Sequence, residues 1–246
     1  PSSSRGPMRA DPTAAPTARA VFFDVDFTLI YPGPTFQGEG YRAFGARYGL
    51  ALDAARFGEA VVSAAPILDG PEDTFDAELY VAYTRHVIER MGGSGPGVDR
   101  CAREVYAEWA RNQHFELYDD VPAALERLAA RGVRVGLISN SHRCLTSFQE
   151  HFELGRFITA AVSSSEHGRL KPHPEIFHAA LTLAGVAAGE AWMIGDSVRQ
   201  DVDGGLAAGM RAALLCRGDV PHPRAGELAA RGVPVLASLD DLMDLL

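Results

Sequence analysis

Four polar stations stand out in the 246-residue sequence, each following a short apolar run. Asp24, with Asp26 two residues on, follows Val21, Phe22 and Phe23. Ser139 and Asn140 follow the run from Val133 to Ile138, Lys171 comes after a run from Ile158 to Val162, and Asp196 follows the run from Ala191 to Ile194. Asp24, Asp26 and Asp196 would repel one another if brought together, unless a cation neutralised them. An all-oxygen donor set beside a phosphate suits a hard ion, and Mg²⁺ keeps waters and bridges to phosphoryl oxygens, which makes it the expected cofactor. Lys171 supplies a point charge for a phosphate, and the Ser139 hydroxyl can donate a hydrogen bond to the same group. Taken singly, Ser139 and Asp196 read as helix caps or turn residues. Four such stations in one chain make that reading less economical.

The elements that must position these residues follow from the hydrophobic pattern. From residue 117 onward, β-branched runs alternate with helical stripes. One stripe is Val121, Ala124, Leu125 and Leu128, for which Asp120 is the expected cap; a second is Ile176, Phe177, Ala180, Leu181 and Ala184, opened by Pro174. A helix is expected from Val198 to Ala208, and an edge strand near Val233 to Leu236. Strands alternating with helices predict an α/β fold, a Rossmann-like, mainly parallel sheet with helices on both faces. Ligands of such sheets bind beyond the carboxyl ends of the strands, where all four stations lie. Residues 33–116 read as helical with few convincing strands, so a helical insertion interrupts the core after its first strand. The expected division is a disordered, proline-punctuated leader over 1–19, a core of 20–32 and 117–246, and a helical cap over 33–116.

Four stretches resemble, in order and spacing, the motifs of the haloacid dehalogenase superfamily. They are Asp24-Val25-Asp26-Phe27-Thr28-Leu29, Leu137-Ile138-Ser139-Asn140-Ser141, Lys171-Pro172-His173-Pro174, and Gly195-Asp196-Ser197-Val198-Arg199-Gln200-Asp201. The resemblance implies that Asp24 attacks phosphorus and becomes a transient aspartyl phosphate, with Asp26 as general acid and base. It further implies Mg²⁺ held by Asp24, Asp26 (through its main-chain carbonyl) and Asp196, with Ser197 and Asp201 supporting the metal shell. Thr28, Ser139, Asn140 and Lys171 become the implied phosphate contacts, Thr28 also supporting the turn that holds the two aspartates. Asp26 separates this chain from the dehalogenase and phosphonate-cleaving branches, which lack an aspartate there; the latter also uses a cap lysine, and residues 31–115 contain none. One departure is Phe27, where the family usually has glycine.

Composition narrows the partners. A net charge of −9 and a pI near 5.3 argue against a nucleic-acid binder, and no apolar run approaches a membrane span. Cys101, Cys144 and Cys216 are far apart with no paired spacing, which fits a reducing cytoplasm rather than a disulfide framework or a zinc site. The expected function is therefore a cytoplasmic, Mg²⁺-dependent phosphatase of a small-molecule phosphate ester. A sugar-phosphate mutase and a non-catalytic phosphate-binding protein stand as the rivals.

Overall fold

The computed structural model describes residues 18–68, 70–218 and 221–246. The leader expected over 1–19 lies outside the described residues except for its last two. Ala18 is buried, and Arg19 is already tied into the core, donating to the Glu190 carbonyl at 2.8 Å and accepting from the Arg134 amide at 2.9 Å.

The core is one sheet of six parallel strands. The first strand, β1 (Ala20–Phe23), is buried throughout, as a strand covered on both faces must be. Its side chains alternate between the two layers: Val21 and Phe23 pack with Leu125 and Leu128, while Phe22 packs with Ile176 and Phe177. After β1 the chain forms β2 (Ile30–Pro32), then four helices, α1 (Gly38–Arg47), α2 (Phe57–Leu68), α3 (Ala77–Arg90) and α4 (Gly97–Trp109), and returns through β3 (Phe115–Leu117). β2 and β3 pair antiparallel, Ile30 opposite Leu117 and Pro32 opposite Phe115, so a two-stranded ribbon connects the insertion to the core. Residues 115 and 116, expected inside the insertion, belong to that ribbon.

The remaining core elements are α5 (Val121–Ala130), β4 (Arg134–Ser139), α6 (Leu145–His151), β5 (Ile158–Ser163), α7 (Ser164–His167), α8 (Pro174–Ala184), β6 (Ala191–Gly195), α9 (Gly204–Ala207), β7 (Arg211–Leu215), α10 (Ala225–Ala230) and β8 (Val235–Leu236). The strand order is β5-β4-β1-β6-β7-β8. Both halves of the sheet wind outward from β1, and that reversal opens a crevice above the carboxyl ends of β1, β4 and β6. No helix among the described residues is long and apolar enough to cross a membrane.

Two expectations are corrected. Asp120 does not cap α5: its carboxylate accepts from both Arg217 guanidinium nitrogens at 2.9 Å and from the Ser238 hydroxyl and Leu239 amide at 2.8 Å. An ionised donor offered two parallel bonds, which outcompetes a single neutral amide. The helix expected over 198–208 is present over 198–207, but its first part, Val198–Asp203, is π-helical and only α9 is α-helical.

Candidate active site

Lys171 is the only lysine in the chain and is 1% exposed. Its ammonium donates to Asp24 Oδ1 and to Asp201 Oδ1, each at 2.6 Å, tying the end of β1 to the turn after β6. Asn140, just past β4, seats the lysine by its backbone: Asn140 Oδ1 accepts from the Lys171 amide at 2.7 Å, and Nδ2 donates to the Lys171 carbonyl at 2.9 Å. Gly195 explains why Asp201 can come so close, since a Cβ there would lie 2.2 Å from the Asp201 carboxyl carbon. The second Asp201 oxygen accepts from the Ser197 amide at 3.0 Å. Asp203, two residues on, turns outward to Arg231.

One carboxylate oxygen each from Asp24, Asp196 and Asp201 lies within 4.8 Å of the others. Burial pushes the Asp24 carboxyl up to about 7, the Lys171 charge opposing it and Asp201 adding to it. Asp196 opens into the cavity, yet enclosure by the protein, with Asp24 and Asp201 beside it, raises it well above the usual carboxylate range. Burial works against the Lys171 ammonium, but the Asp201 and Asp24 charges outweigh it and hold its pKa above lysine's ordinary value. With Asp26 added, four carboxylates face two buried cations, Lys171 and Arg143. With all four ionised the deficit equals the charge of one divalent cation, which would take the place of the protons that the raised Asp24 and Asp196 otherwise hold, and an all-oxygen set at this spacing fits Mg²⁺.

Asp26 faces the other way. Its Oδ1 accepts from Arg143 Nη2 at 2.9 Å, and Arg143 Nη1 donates to Asn112 Oδ1 at 3.1 Å. The Arg143 guanidinium lies 4.1 Å from the centre of the Phe115 ring, and its side chain is fully buried. One arginine thus joins the loop after β4, the turn after β1 and the segment entering β3. Sequence reasoning missed it. The chain has twenty-two arginines, and nothing in the residue's type or spacing marks this one.

The turn between the two aspartates is tight: the Phe27 amide donates to the Ile30 carbonyl at 2.7 Å, and Phe27 adopts φ +63°. This left-handed conformation is costly for any residue with a Cβ. Here the exposed Phe27 ring leans toward Trp109, with centroids 6.4 Å apart.

A cavity of about 450 Å³ lies over these groups, lined by Asp24, Asp26, Asn140, Lys171, Asp196 and Ser197 from the core. Thr28 and Ser139 are not in its wall. Thr28 is fully buried, its hydroxyl has no partner among the described residues, and its carbonyl accepts from Arg217 at 2.9 Å. Ser139 is buried at the end of β4. The Asn140 amide is taken up by Lys171 and by Gln200, so it positions the lysine.

Comparison with known proteins gives the family. The haloacid dehalogenase-like hydrolase family matches residues 18–209, most of the chain. The chain belongs to the haloacid dehalogenase-like hydrolases. Within that family it is 32% identical over 205 residues to the N-acylneuraminate-9-phosphatase of Homo sapiens, covering 80% of this chain and 81% of the human protein. It is 32% identical over 145 residues to the phosphoserine phosphatase of Thermus thermophilus, covering 56% of this chain and 55% of that one. A solved haloacid dehalogenase family hydrolase of Deinococcus radiodurans, with bound phosphate and sodium, superposes with a TM-score of 0.65 at 25% identity, covering 93% of this chain and 94% of the other.

Proposed function

We propose that this hydrolase is a Mg²⁺-dependent phosphatase of a small phosphorylated metabolite, working through an aspartyl phosphate on Asp24, with residues 33–114 as its cap. The observation that carries the reading is the gathering of Asp24, Lys171 and Asp196 at one cavity, with Asp201 bound to Lys171 beside it. The phosphatase names of its relatives support the same reaction class.

In this reading an Asp24 carboxylate oxygen attacks phosphorus, the bond to the leaving oxygen breaks, and the Asp24–phosphate bond is later broken by water. Lys171, held by Asp24 and Asp201, stands where charge on the phosphoryl oxygens develops. Asp26 protonates the leaving oxygen and then takes a proton from the attacking water. Arg143 grips one oxygen of its carboxylate, leaving the other for that proton. The Asp24 and Asp196 carboxylates and the Asp26 main-chain carbonyl would hold Mg²⁺, with Asp201 and Ser197 supporting them. The bound ion supplies charge neutralisation that lets an anionic nucleophile approach an anionic phosphate.

The test is phosphate release from a panel of sugar phosphates, phosphoserine, phosphoglycolate and N-acylneuraminate 9-phosphate, with Mg²⁺ and with chelator. Release that requires Mg²⁺ is expected. Transfer of the phosphoryl group to a second position on a sugar, with no free phosphate, would point to the mutase instead.

A further inference from the structure

The wall of the cavity opposite the carboxylates is aromatic. Phe36, Tyr83, Tyr106 and Trp109 of the insertion line it together with Phe27 of the catalytic turn. The rings brace one another: Phe36 and Trp109 lie 4.6 Å apart between centroids, and Tyr106 stacks on His142 at 3.9 Å. Three polar side chains of this wall are engaged within the protein, while His142 Nε2 has no partner among the described residues. Thr84 Oγ1 donates to the Tyr80 carbonyl at 3.0 Å, the Tyr80 hydroxyl to the Asn140 carbonyl at 3.3 Å, and Gln37 Nε2 to the Pro32 carbonyl at 3.4 Å. Apart from the catalytic aspartates and Lys171, the charged residues among the described lining are Glu72 and Arg199, one of each sign.

Such a wall favours a flat apolar group and disfavours a second anion. A carboxylate or second phosphate on the leaving group would give up its water for ring faces whose outward charge is negative, with little net positive charge in return. A space of about 450 Å³ holds a phosphate plus a ring-sized alcohol. Resting on the phosphatase reading, we infer that the substrates are monophosphate esters of neutral, ring-bearing alcohols rather than bisphosphates or phosphorylated acids. Trp109, which touches both Phe36 and Phe27, is the residue that sets the preference.

The test compares kcat/KM of the full chain with Mg²⁺ for 2-phenylethyl phosphate, glycerol 1-phosphate, phosphoglycolate and N-acylneuraminate 9-phosphate. The phenylethyl ester should lead by ~30-fold, the gain expected from seating one aromatic ring out of water. Trp109→Leu should cut that lead about tenfold through KM, whereas Trp109→Phe, which keeps a ring, should preserve most of it. A lead by phosphoglycolate or N-acylneuraminate 9-phosphate, or a lead indifferent to both Trp109 variants, would overturn the inference while leaving the phosphatase reading intact. If none of the esters releases phosphate, the phosphatase reading fails. The calorimetric affinities of the same four esters then decide the pocket's preference, which tighter binding of the phenylethyl ester would uphold and equal affinities would refute.

Discussion

The two faces of the cavity are built on opposite principles. On the core side, Asp24, Asp201 and Lys171 are locked by ionic bonds at 2.6 Å, the one ammonium holding an oxygen of each carboxylate. On the insertion side, Phe36, Tyr106 and Trp109 are held by ring contacts between 3.9 and 6.4 Å that no single bond determines. Charge demands one geometry, since a buried ion without its partner is very costly, whereas apolar packing tolerates exchange. On the proposed function, reaction chemistry belongs to the rigid side and choice of leaving group to the adaptable one.

Substitutions should separate the two faces, the largest effects lying on the core side. Asp24→Asn removes the proposed nucleophile while keeping its shape, and turnover should fall by ~10⁴-fold or more with the fold retained, as steady-state rates and circular dichroism would show. Lys171→Met leaves Asp24 and Asp201 buried without their cation. A loss of about 3–5 kcal/mol in unfolding free energy is expected beside the loss of turnover, measured by denaturant titration. Stability unchanged from the parent would mean that the two carboxylates are neutral in the native protein.

Arg143→Lys keeps the charge but loses the two-pronged reach to Asp26 and Asn112. As a positioning residue for Asp26, it should lower kcat ~10-fold with KM little changed. The loss should be greater for alkyl esters than for p-nitrophenyl phosphate, whose leaving group needs no proton. Equal losses on both esters would assign Arg143 to the fold alone.

Magnesium and pH supply a smaller, graded effect. Burial lifts Asp24 from about 3.8 to about 7, so between those values the native state holds a proton that the unfolded chain releases. Through Asp24, the metal-free fold thus loses stability as pH rises through that window, and a divalent cation that replaces the proton should restore it. The gain in melting temperature on adding Mg²⁺ should therefore be larger at about pH 8 than at about pH 6. A gain independent of pH would contradict the raised carboxyl.

Smallest is Phe27→Gly. Relief of the left-handed φ of +63° and loss of the ring's approach to Trp109 act in opposite directions. The net change in unfolding free energy should stay below about 1 kcal/mol. A larger loss would show that the Phe27 ring holds the two faces together.

The core face was legible in the sequence for the same reason that it is rigid. Carboxylates and a lone basic group at the ends of buried strands are conspicuous against β-branched residues, and strand ends of a parallel sheet must share one rim. The insertion face was not legible, because aromatics at helical spacing read alike whether they line a core or a cavity: Phe44 is buried in the packed interior, while Tyr106 borders the cavity. The β2–β3 ribbon escaped because three-residue strands, one containing Pro32, carry too little periodicity. Asp120 misled through its position before a helix, where only the distant Arg217 and Leu239 reveal what it binds. Asp201 and Asp203 were separable by motif spacing alone, and only the fold shows one buried on Lys171 and the other paired with Arg231 at the surface.

The most direct test of the account is mass spectrometry of enzyme quenched in acid during turnover with Mg²⁺. A phosphoryl adduct confined to the peptide that carries Asp24, and missing from Asp24→Asn, is the predicted result. Steady release of phosphate with no adduct on that peptide, or with the adduct on another residue, would contradict it.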